Sequence, residues 1–258
     1  MPALKRVRKT QEPGATADHA PKRPFILGRV LQEVAAPLDE TAVLCQRLLD
    51  GIGGRLPIEQ RKLAEDITDG VFRSAQRLRD YVDLMLLEAG ALELHPKVTN
   101  LADLIEQAVR HLRTAAHAKG LNLMVEPAAG PLPPVLADPA RILQVLLNLI
   151  ANAIKFTDRG QVIVSTEPYD RSVAVHVVDT GVGIQAAQQS RLFEDFFQGD
   201  GARSRNPIGC GLGLTLSRRL VTRVGGDLWA SSTGAGSRFS FTVPRAPVVP
   251  GLSRLSPV

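Results

Sequence analysis

Two long runs of helical hydrophobic periodicity constrain this 258-residue chain more than any other feature. Apolar residues recur at spacings of three and four over 25–49 and again over 63–85, which predicts two amphipathic helices of about 28 residues each. The segment "GIGGRLP" (51–57) between them is typical of a turn. The apolar stripes cannot be covered within such a hairpin alone, whereas two copies would close a four-helix bundle. The pattern therefore predicts a helical hairpin over 25–95 that forms a homodimer.

Helices and strands are mixed in the second half of the chain, beyond a composition change near residue 96. Predicted helices cover 101–118, 139–156 and 212–224, and predicted strands cover 121–126, 161–167, 172–179, 226–233 and 237–244. The proline-rich segment 127–139 is predicted as a loop. Because the last strands lack crossover helices, one largely antiparallel, mixed sheet under helices is favoured over a doubly wound sheet. We therefore predict an α+β chain whose second domain, over 96–245, is an α/β sandwich.

Most of the net charge lies in the first 24 residues, which hold six basic residues against two acidic ones. They carry four of the five net positive charges, so the rest of the chain is nearly neutral. The run "KRVRK" (5–9) lacks interleaved aromatic residues and is more typical of a solvated leader than of a nucleic-acid or acidic-membrane contact. We expect disordered tails at 1–24 and 246–258, and no nucleic-acid partner.

Cysteine use and hydropathy favour a cytoplasmic protein. Cys45 and Cys210 are far apart and belong to no C-x-x-C pair, so neither a disulfide framework nor a zinc site is indicated. The longest apolar stretch, 142–154, is interrupted by three amide side chains and is shorter than the ~18 residues that a membrane helix needs. We expect no membrane association.

The predicted helix 139–156 carries three polar residues on one face, because Asn148, Asn152 and Lys155 recur at spacings of four and three. Burying an unpaired amide costs about 1–3 kcal/mol. Such a stripe on an otherwise apolar helix therefore indicates that something polar faces it. A polar edge on a surface helix is the plainer alternative.

Two glycine-rich segments accompany this helix. In "VVDTGVGI" (177–184) a strand leads into Asp179, where the backbone can approach a ligand and the carboxylate can accept from an exocyclic amine. By itself, D-x-G-x-G is about as often a simple turn. The segment "GCGLGLTLSRRLV" (209–221) leads into a helix whose free N–H groups could hold phosphate, although a lone glycine-rich loop is weak support.

In this order, the three segments resemble the ATP-binding catalytic domain of sensor histidine kinases, a domain shared with gyrase, chaperone and mismatch-repair ATPases. The likeness covers about 97–245 and includes four boxes: the asparagine box "NLIANAIKFT", the first glycine box "DTGVGI", the phenylalanine box "LFEDFF" and the second glycine box "GCGLGL". The segment "GAGSRFSFTVP" resembles the family's closing strand. The resemblance implies ATP and Mg²⁺ as cofactors.

The resemblance also implies a role for each matching residue. Asn152 would hold the Mg²⁺ that bridges the phosphates, with Asn148 beside it, and Lys155 would reach phosphate oxygens. Asp179 would accept a hydrogen bond from the adenine amino group. Two further sets complete the site: Gly181 and Gly183 would make room for the base, and Gly209, Gly211 and Gly213 with Leu214 would cap the triphosphate under a mobile lid at about 196–210.

The hairpin resembles the dimerisation and phosphoacceptor domain of the same kinases, in which a histidine is followed by an acid, with a proline four residues beyond the acid. Here "QEVAAP" keeps Glu33 and Pro37 but has Gln32 at the position of the histidine. An imidazole can attack phosphorus with its lone pair, whereas a carboxamide nitrogen has its lone pair delocalised into the carbonyl. We therefore predict that Gln32 is not phosphorylated, which leaves a base role for Glu33 doubtful.

The five histidines, His19, His95, His111, His117 and His176, all lie outside the first helix, and we interpret them as solvated or structural. The sequence leaves three functions open. A degenerate histidine-kinase-like protein would dock a response regulator receiver domain or phosphorylate a partner histidine kinase. A working kinase would use another acceptor, and a regulatory module would bind ATP without phosphotransfer.

Overall fold

The computed structural model describes residues 22–52, 54–128, 130–197, 211–232 and 234–247, with side chains described from Glu33 onward. The elements along the chain are α1 (Lys22–Leu49), α2 (Ile58–Glu88), β1 (Lys97–Thr99), α3 (Leu101–Ala118), β2 (Asn122–Val125), β3 (Val135–Ala137), α4 (Pro139–Phe156), β4 (Gln161–Pro168), β5 (Ser172–Asp179), α5 (Ala186–Gln189), α6 (Gly213–Arg223), β6 (Leu228–Ser232) and β7 (Ser237–Pro244). Most of both predicted tails, 1–21 and 248–258, lies outside the described residues, so disorder there stays a prediction.

Helices α1 and α2 pack against each other as the predicted hairpin. The buried apolar positions of α1 and of the first two-thirds of α2 are small residues: Ala35, Ala42, Cys45, Ala64 and Ala75. Helix α1 begins at Lys22, three residues before the predicted start at Phe25, so the predicted tail ends earlier than expected. Pro37 lies within α1, and its carbonyl accepts a hydrogen bond from Thr41 Oγ1 at 2.7 Å.

The second half of the chain forms the mixed sheet that was predicted, with the strand order β2-β4-β5-β7-β6. Strands β2 and β4 are parallel, and the other neighbours are antiparallel. Strands β5 and β7 occupy the predicted bounds because their alternation is long enough to fix their ends.

A second, two-stranded sheet corrects the prediction of a continuous loop over 127–139. Strand β3 pairs antiparallel with β1, and Val98 lies opposite Leu136. Strands of three residues are too short to show alternation, and the prolines that precede Val135 signal a loop. The pairing joins the start of the second domain to the segment that leads into α4.

Helix α4 lies at the centre of the main core, between α3 and α6 and against the sheet. Leu146, Leu149 and Ile150 of α4 are fully buried, as are Val175 of β5 and Phe241 of β7. This apolar side fixes the rotation of α4, which leaves its polar residues at the edge of the core. None of the helices in the described part of the chain has the length and hydropathy that a transmembrane span requires.

Candidate functional site

The start of α4 is fixed by the carboxylate of Asp138, which is buried. Asp138 Oδ1 accepts the backbone N–H groups of Ala140 (3.0 Å) and Arg141 (3.4 Å), as expected of an N-cap residue followed by proline. Asp138 Oδ2 accepts the backbone N–H of His95 at 3.0 Å. The same side chain therefore caps α4 and holds the segment that enters the second domain.

The end of α4 is held by a lysine from α3's C-terminal end. Lys119 Nζ donates to the carbonyl oxygens of Ile154 (2.8 Å), Lys155 (2.7 Å) and Thr157 (2.9 Å). A cation at this position interacts favourably with the negative end of the helix dipole. The last turn of α4, which carries Lys155, is thereby fixed in place.

The structure places the three polar residues of α4 along one edge, each of them half-buried. Asn148 Nδ2 donates to Ser217 Oγ of α6 at 2.8 Å, and Asn152 Nδ2 donates to Asn148 Oδ1 at 3.4 Å. Burial, and then the nearby positive charge of Arg77 on α2, lower the pKa of Lys155. The Lys155 ammonium lies 4.8 Å from the centre of the Phe156 ring.

Asp179 ends β5 with its side chain almost fully buried, at 4% exposure. Its Oδ1 accepts the backbone N–H groups of Gly181 (2.8 Å) and Ser237 (3.2 Å). Burial raises the pKa of Asp179. The two backbone hydrogen bonds and a further one from the Ser237 hydroxyl lower it, but they offset the effect of burial only in part. The loop therefore presents an oriented hydrogen-bond acceptor whose charge is poorly solvated.

Two glycines lie where the glycine boxes approach α4. A Cβ on Gly181 would collide with the carbonyl oxygen of Phe156, at the end of α4, and one on Gly213 would collide with Asn148 Oδ1. Gly183 has a φ of +71°, in the left-handed region that favours glycine. The first glycine box thus lies against the end of α4, and the second lies against Asn148 on its polar edge.

Of the predicted lid at about 196–210, only Phe196 and Phe197 are described, since 198–210, including Gly209, lie outside the described residues. At its end, Gly211 has a φ of +74°, and a Cβ there would lie 2.7 Å from the carbonyl oxygen of Phe197. Leu214 is partly buried against the core. The hydroxyl of Thr215 donates to the carbonyl oxygens of Phe193 (3.2 Å) and Glu194 (3.1 Å), which ties the phenylalanine box to α6.

The residues fit Mg²⁺ held together with phosphate oxygens better than a metal held by protein alone. Among the described residues, no group of three or more His, Cys, Asp or Glu side chains could hold a metal ion. Asn152 turns its Nδ2 toward Asn148 and thereby keeps its carbonyl oxygen for another partner. Mg²⁺ takes hard oxygen ligands and is commonly bound through one or two protein groups plus substrate phosphates.

The acceptor region is only partly described. The side chain of Gln32 lies outside the described residues, while Glu33 is exposed on α1. His111 and His117 are exposed on α3. His176 is buried in β5, with Nδ1 2.8 Å from Ser240 Oγ, and burial lowers its pKa.

Sequence reasoning missed three residues that shape the site. Asp138 was visible in principle, because an aspartate before proline is a helix start signal. Ser217 lies one helical turn after Gly213, so the period of α6 places both on one face. Lys119 gave no signal, since the carbonyl groups it binds lie about 35 residues away in the sequence.

Comparison with known proteins agrees with this geometry. Residues 137–247 match the histidine kinase-, DNA gyrase B- and HSP90-like ATPase family, which defines the class of this domain. The chain is 34% identical over 248 residues to the non-motile and phage-resistance protein of Caulobacter vibrioides, covering 93% of this chain and 29% of that protein. It is 33% identical over 240 residues to the signal transduction histidine-protein kinase BarA of Escherichia coli K12, covering 88% of this chain and 26% of BarA.

Solved structures extend the likeness to the hairpin. Full-length ShkA in complex with AMPPNP matches 86% of this chain and 46% of its own, with a TM-score of 0.68 and 30% identity. The catalytic domain of the histidine kinase ThkA matches 60% of this chain and all of its own, with a TM-score of 0.52 and 28% identity. The chain belongs to the sensor histidine kinase family and contains its ATP-binding catalytic domain. It spans less than a third of the length of the curated relatives named above.

Proposed function

We propose that this chain binds Mg²⁺-ATP between α4, the Asp179 loop and the start of α6, and serves two-component signalling without the usual acceptor histidine. One observation carries the proposal: Gly181 and Gly213 approach α4 so closely that a Cβ on either would collide with it. This close approach places the start of α6 beside Asn148 and the Asp179 loop beside the last turn of α4, which carries Lys155. The AMPPNP complex of ShkA supports a nucleotide in a site of this kind.

Each side chain has chemistry suited to one part of the nucleotide. The Asp179 carboxylate accepts from an exocyclic amine, which favours adenine. Lys155 supplies positive charge for phosphate oxygens, and the free N–H groups at the start of α6 add hydrogen-bond donors. Asn152 would hold Mg²⁺, which supplies charge neutralisation on the phosphates when it is bound.

The first helix lacks the nucleophile that this site would serve in a complete autokinase. Glu33 and Pro37 occupy the family positions, but a carboxamide at residue 32 cannot attack phosphorus as an imidazole can. We therefore propose that the chain acts through a partner, by docking a response regulator receiver domain or by phosphorylating the histidine of a partner kinase. The BarA relative, a signal transduction histidine-protein kinase, supports a role in phosphotransfer signalling.

Phosphotransfer from isotopically labelled ATP tests the proposal. Wild-type protein alone should acquire no acid-labile label. Gln32→His then asks whether only the acceptor is missing, and Gln46→His, an exposed glutamine of α1, is the matched control. Label on Gln32→His but not on Gln46→His would show that the site still reaches this position, because transfer requires an in-line nucleophile within about 3–3.5 Å of phosphorus.

The other outcomes separate the alternatives. Acid-labile label on wild-type protein alone would contradict the proposal and reveal another histidine acceptor. Acid-stable label would indicate a hydroxyl acceptor. ATP binding without transfer to Gln32→His, to a receiver domain or to a partner kinase would favour a regulatory module.

A further inference from the structure

Asn148 uses both ends of its carboxamide, one toward α6 and the other toward Asn152 of its own helix, α4. Its Nδ2 donates to Ser217 Oγ at 2.8 Å, and its Oδ1 accepts from Asn152 Nδ2 at 3.4 Å. Gly213, one turn before Ser217, brings the backbone of α6 against the same amide, since an added Cβ would lie 3.0 Å from Asn148 Cγ. Asn148 is therefore held between α6 and Asn152.

Ser217 is a polar residue on a buried face, with 2% of its surface exposed. Its neighbours on this side of α6, Leu216, Leu220 and Val221, belong to the apolar core. A hydroxyl in such surroundings costs free energy unless it has a hydrogen-bond partner. Asn148 is that partner, and the hydrogen bond that Ser217 Oγ accepts holds the Nδ2 of Asn148 toward α6.

The carboxamides of Asn148 and Asn152 are matched, with the donor of one facing the acceptor of the other. Because Asn148 uses its Nδ2 for Ser217, its Oδ1 faces Asn152 and accepts the Asn152 Nδ2. The carbonyl oxygen of Asn152 then points away from Asn148. With the carboxamide of Asn152 reversed, the atom presented there would be an NH₂ group, which has only hydrogen-bond donors and cannot bind a cation.

We propose that Ser217 is a positioning residue for the metal-binding asparagine pair, acting through Asn148 to hold the carbonyl oxygen of Asn152 toward Mg²⁺. The inference rests on the proposed Mg²⁺-ATP site. It assigns to the helix after the second glycine box a role in metal binding that is distinct from holding phosphate.

Calorimetric titration of the full chain with ATP, in excess Mg²⁺ and in EDTA, tests this role. Removing a group that orients a metal ligand commonly weakens metal binding by about tenfold or more. The quantity of interest is the ATP affinity in Mg²⁺ divided by the ATP affinity in EDTA. Ser217→Ala should lower this ratio by about tenfold, and it should change the affinity in EDTA by less than about twofold. Ser217→Thr, which keeps the hydroxyl, should restore the ratio. Ser240→Ala, which removes a fully buried hydroxyl from β7, should leave it unchanged.

The side-chain amide resonances of nucleotide-free protein test the hydrogen-bond chain directly. In ¹⁵N spectra, Ser217→Ala should shift the NδH₂ signals of both Asn148 and Asn152, whereas Ser240→Ala should shift neither. A shift at Asn148 alone, or an unchanged Mg²⁺ dependence in Ser217→Ala, would overturn the inference. If wild-type affinity shows no response to Mg²⁺, the proposed metal site fails and the inference with it, while the spectra still decide whether Ser217 orients the two amides.

Discussion

At the scale of single residues, Asp179 shows how burial and function oppose each other. The carboxylate is nearly removed from water, and burial raises its pKa above the ordinary value for aspartate. Its two backbone donors, Gly181 and Ser237, recover part of the lost solvation. A buried charge that is only partly compensated costs stability, and such perturbed groups concentrate at functional sites.

Asp179→Asn should therefore weaken ATP binding while sparing the fold. The amide keeps one oxygen for the Gly181 and Ser237 N–H groups, but it places a donor where the adenine amino group needs an acceptor. We expect ATP affinity to fall by at least tenfold, about 1.4 kcal/mol, in calorimetry. Asp170→Asn, in the exposed turn between β4 and β5, should leave the affinity unchanged. Equal affinities for wild type and Asp179→Asn would exclude the site assignment.

The same substitution has a signed effect on pH dependence. Because the pKa of Asp179 is higher in the folded state than in the unfolded chain, this group favours folding at pH values below about 4 and loses that contribution as the pH rises through its folded pKa. Asparagine does not ionise, so Asp179→Asn does not lose stability as the pH rises through this pKa. The melting temperature of the variant relative to wild type, both without nucleotide, should therefore be higher at pH 7 than at pH 4. A difference of the opposite sign would show that the charge stabilises the fold.

At the scale of elements, α4 is the helix on which the site depends, and both of its ends are held by residues outside it. Asp138 caps its start, and Lys119 binds three carbonyl oxygens at its end. These carbonyl groups have no partner within the helix, so they require one from elsewhere. Lys119 supplies it and thereby fixes the turn that carries Lys155.

Lys119→Met should destabilise the domain by about 1–2 kcal/mol, because it removes charge-assisted hydrogen bonds and a favourable interaction with the helix dipole. The measurement is the free energy of unfolding in urea at a fixed protein concentration. Lys97→Met, an exposed lysine of β1, is the matched control and should change stability by less than about 0.5 kcal/mol. Equal effects of the two substitutions would show that Lys119 does not support α4.

The elements differ in how far the sequence predicts them. The bounds of α3, α4, β5 and β7 were predicted correctly, because each shows its period over eight or more residues. Strands β1 and β3 were missed, since pairing between distant three-residue segments leaves no local pattern. The polar edge of α4 was also predicted, because its three polar residues recur at the spacing of the helix. The contacts of Lys119 and Ser217 depend on tertiary placement, which periodicity does not encode.

At the scale of the whole molecule, two ion pairs and a hydrogen bond join the hairpin to the catalytic domain. Asp83 of α2, which is buried, accepts from Arg141 Nη1 (2.7 Å) and Gln144 Nε2 (3.0 Å) of α4. Nearer the end of α2, Arg219 of α6 donates to Glu88 at 2.8 Å. Two of these contacts involve α4 itself, so the position of the hairpin is coupled to the helix that carries the asparagines.

A double-mutant cycle on Asp83→Ala and Arg141→Ala should show this coupling. Removing one partner leaves the other charge unpaired in a mostly buried place. The stability losses of the two single variants, added together, should therefore exceed the stability loss of the double variant by about 1–3 kcal/mol in urea denaturation. The control cycle uses Arg61 and Glu65, an exposed pair on α2 with a distance of 3.2 Å, for which we expect less than about 0.5 kcal/mol. Equal coupling in the two cycles would show that the contact does not hold the domains together.

The apolar residues of the hairpin are divided by size between its buried and exposed positions. Small residues fill the space between α1 and α2, whereas many large apolar residues remain exposed: Val34, Val43, Leu44, Leu48, Leu63, Ile67, Phe72 and Met85. Exposed apolar surface on this scale marks an interaction site. A second copy of the hairpin would cover it as a four-helix bundle, which is the homodimer that the periodicity predicts.

Ile67→Glu should therefore convert the protein from dimer to monomer. Ile67 is 44% exposed in the single chain, and a glutamate there would bury an unpaired charge in the bundle. A penalty of about 3 kcal/mol weakens association by about a hundredfold, which light scattering at micromolar concentration detects as a lower mass. Val98→Glu, at a position 67% exposed on β1 outside the hairpin, should remain dimeric. A monomeric wild type at tens of micromolar, or a dimeric Ile67→Glu, would exclude dimerisation through this face.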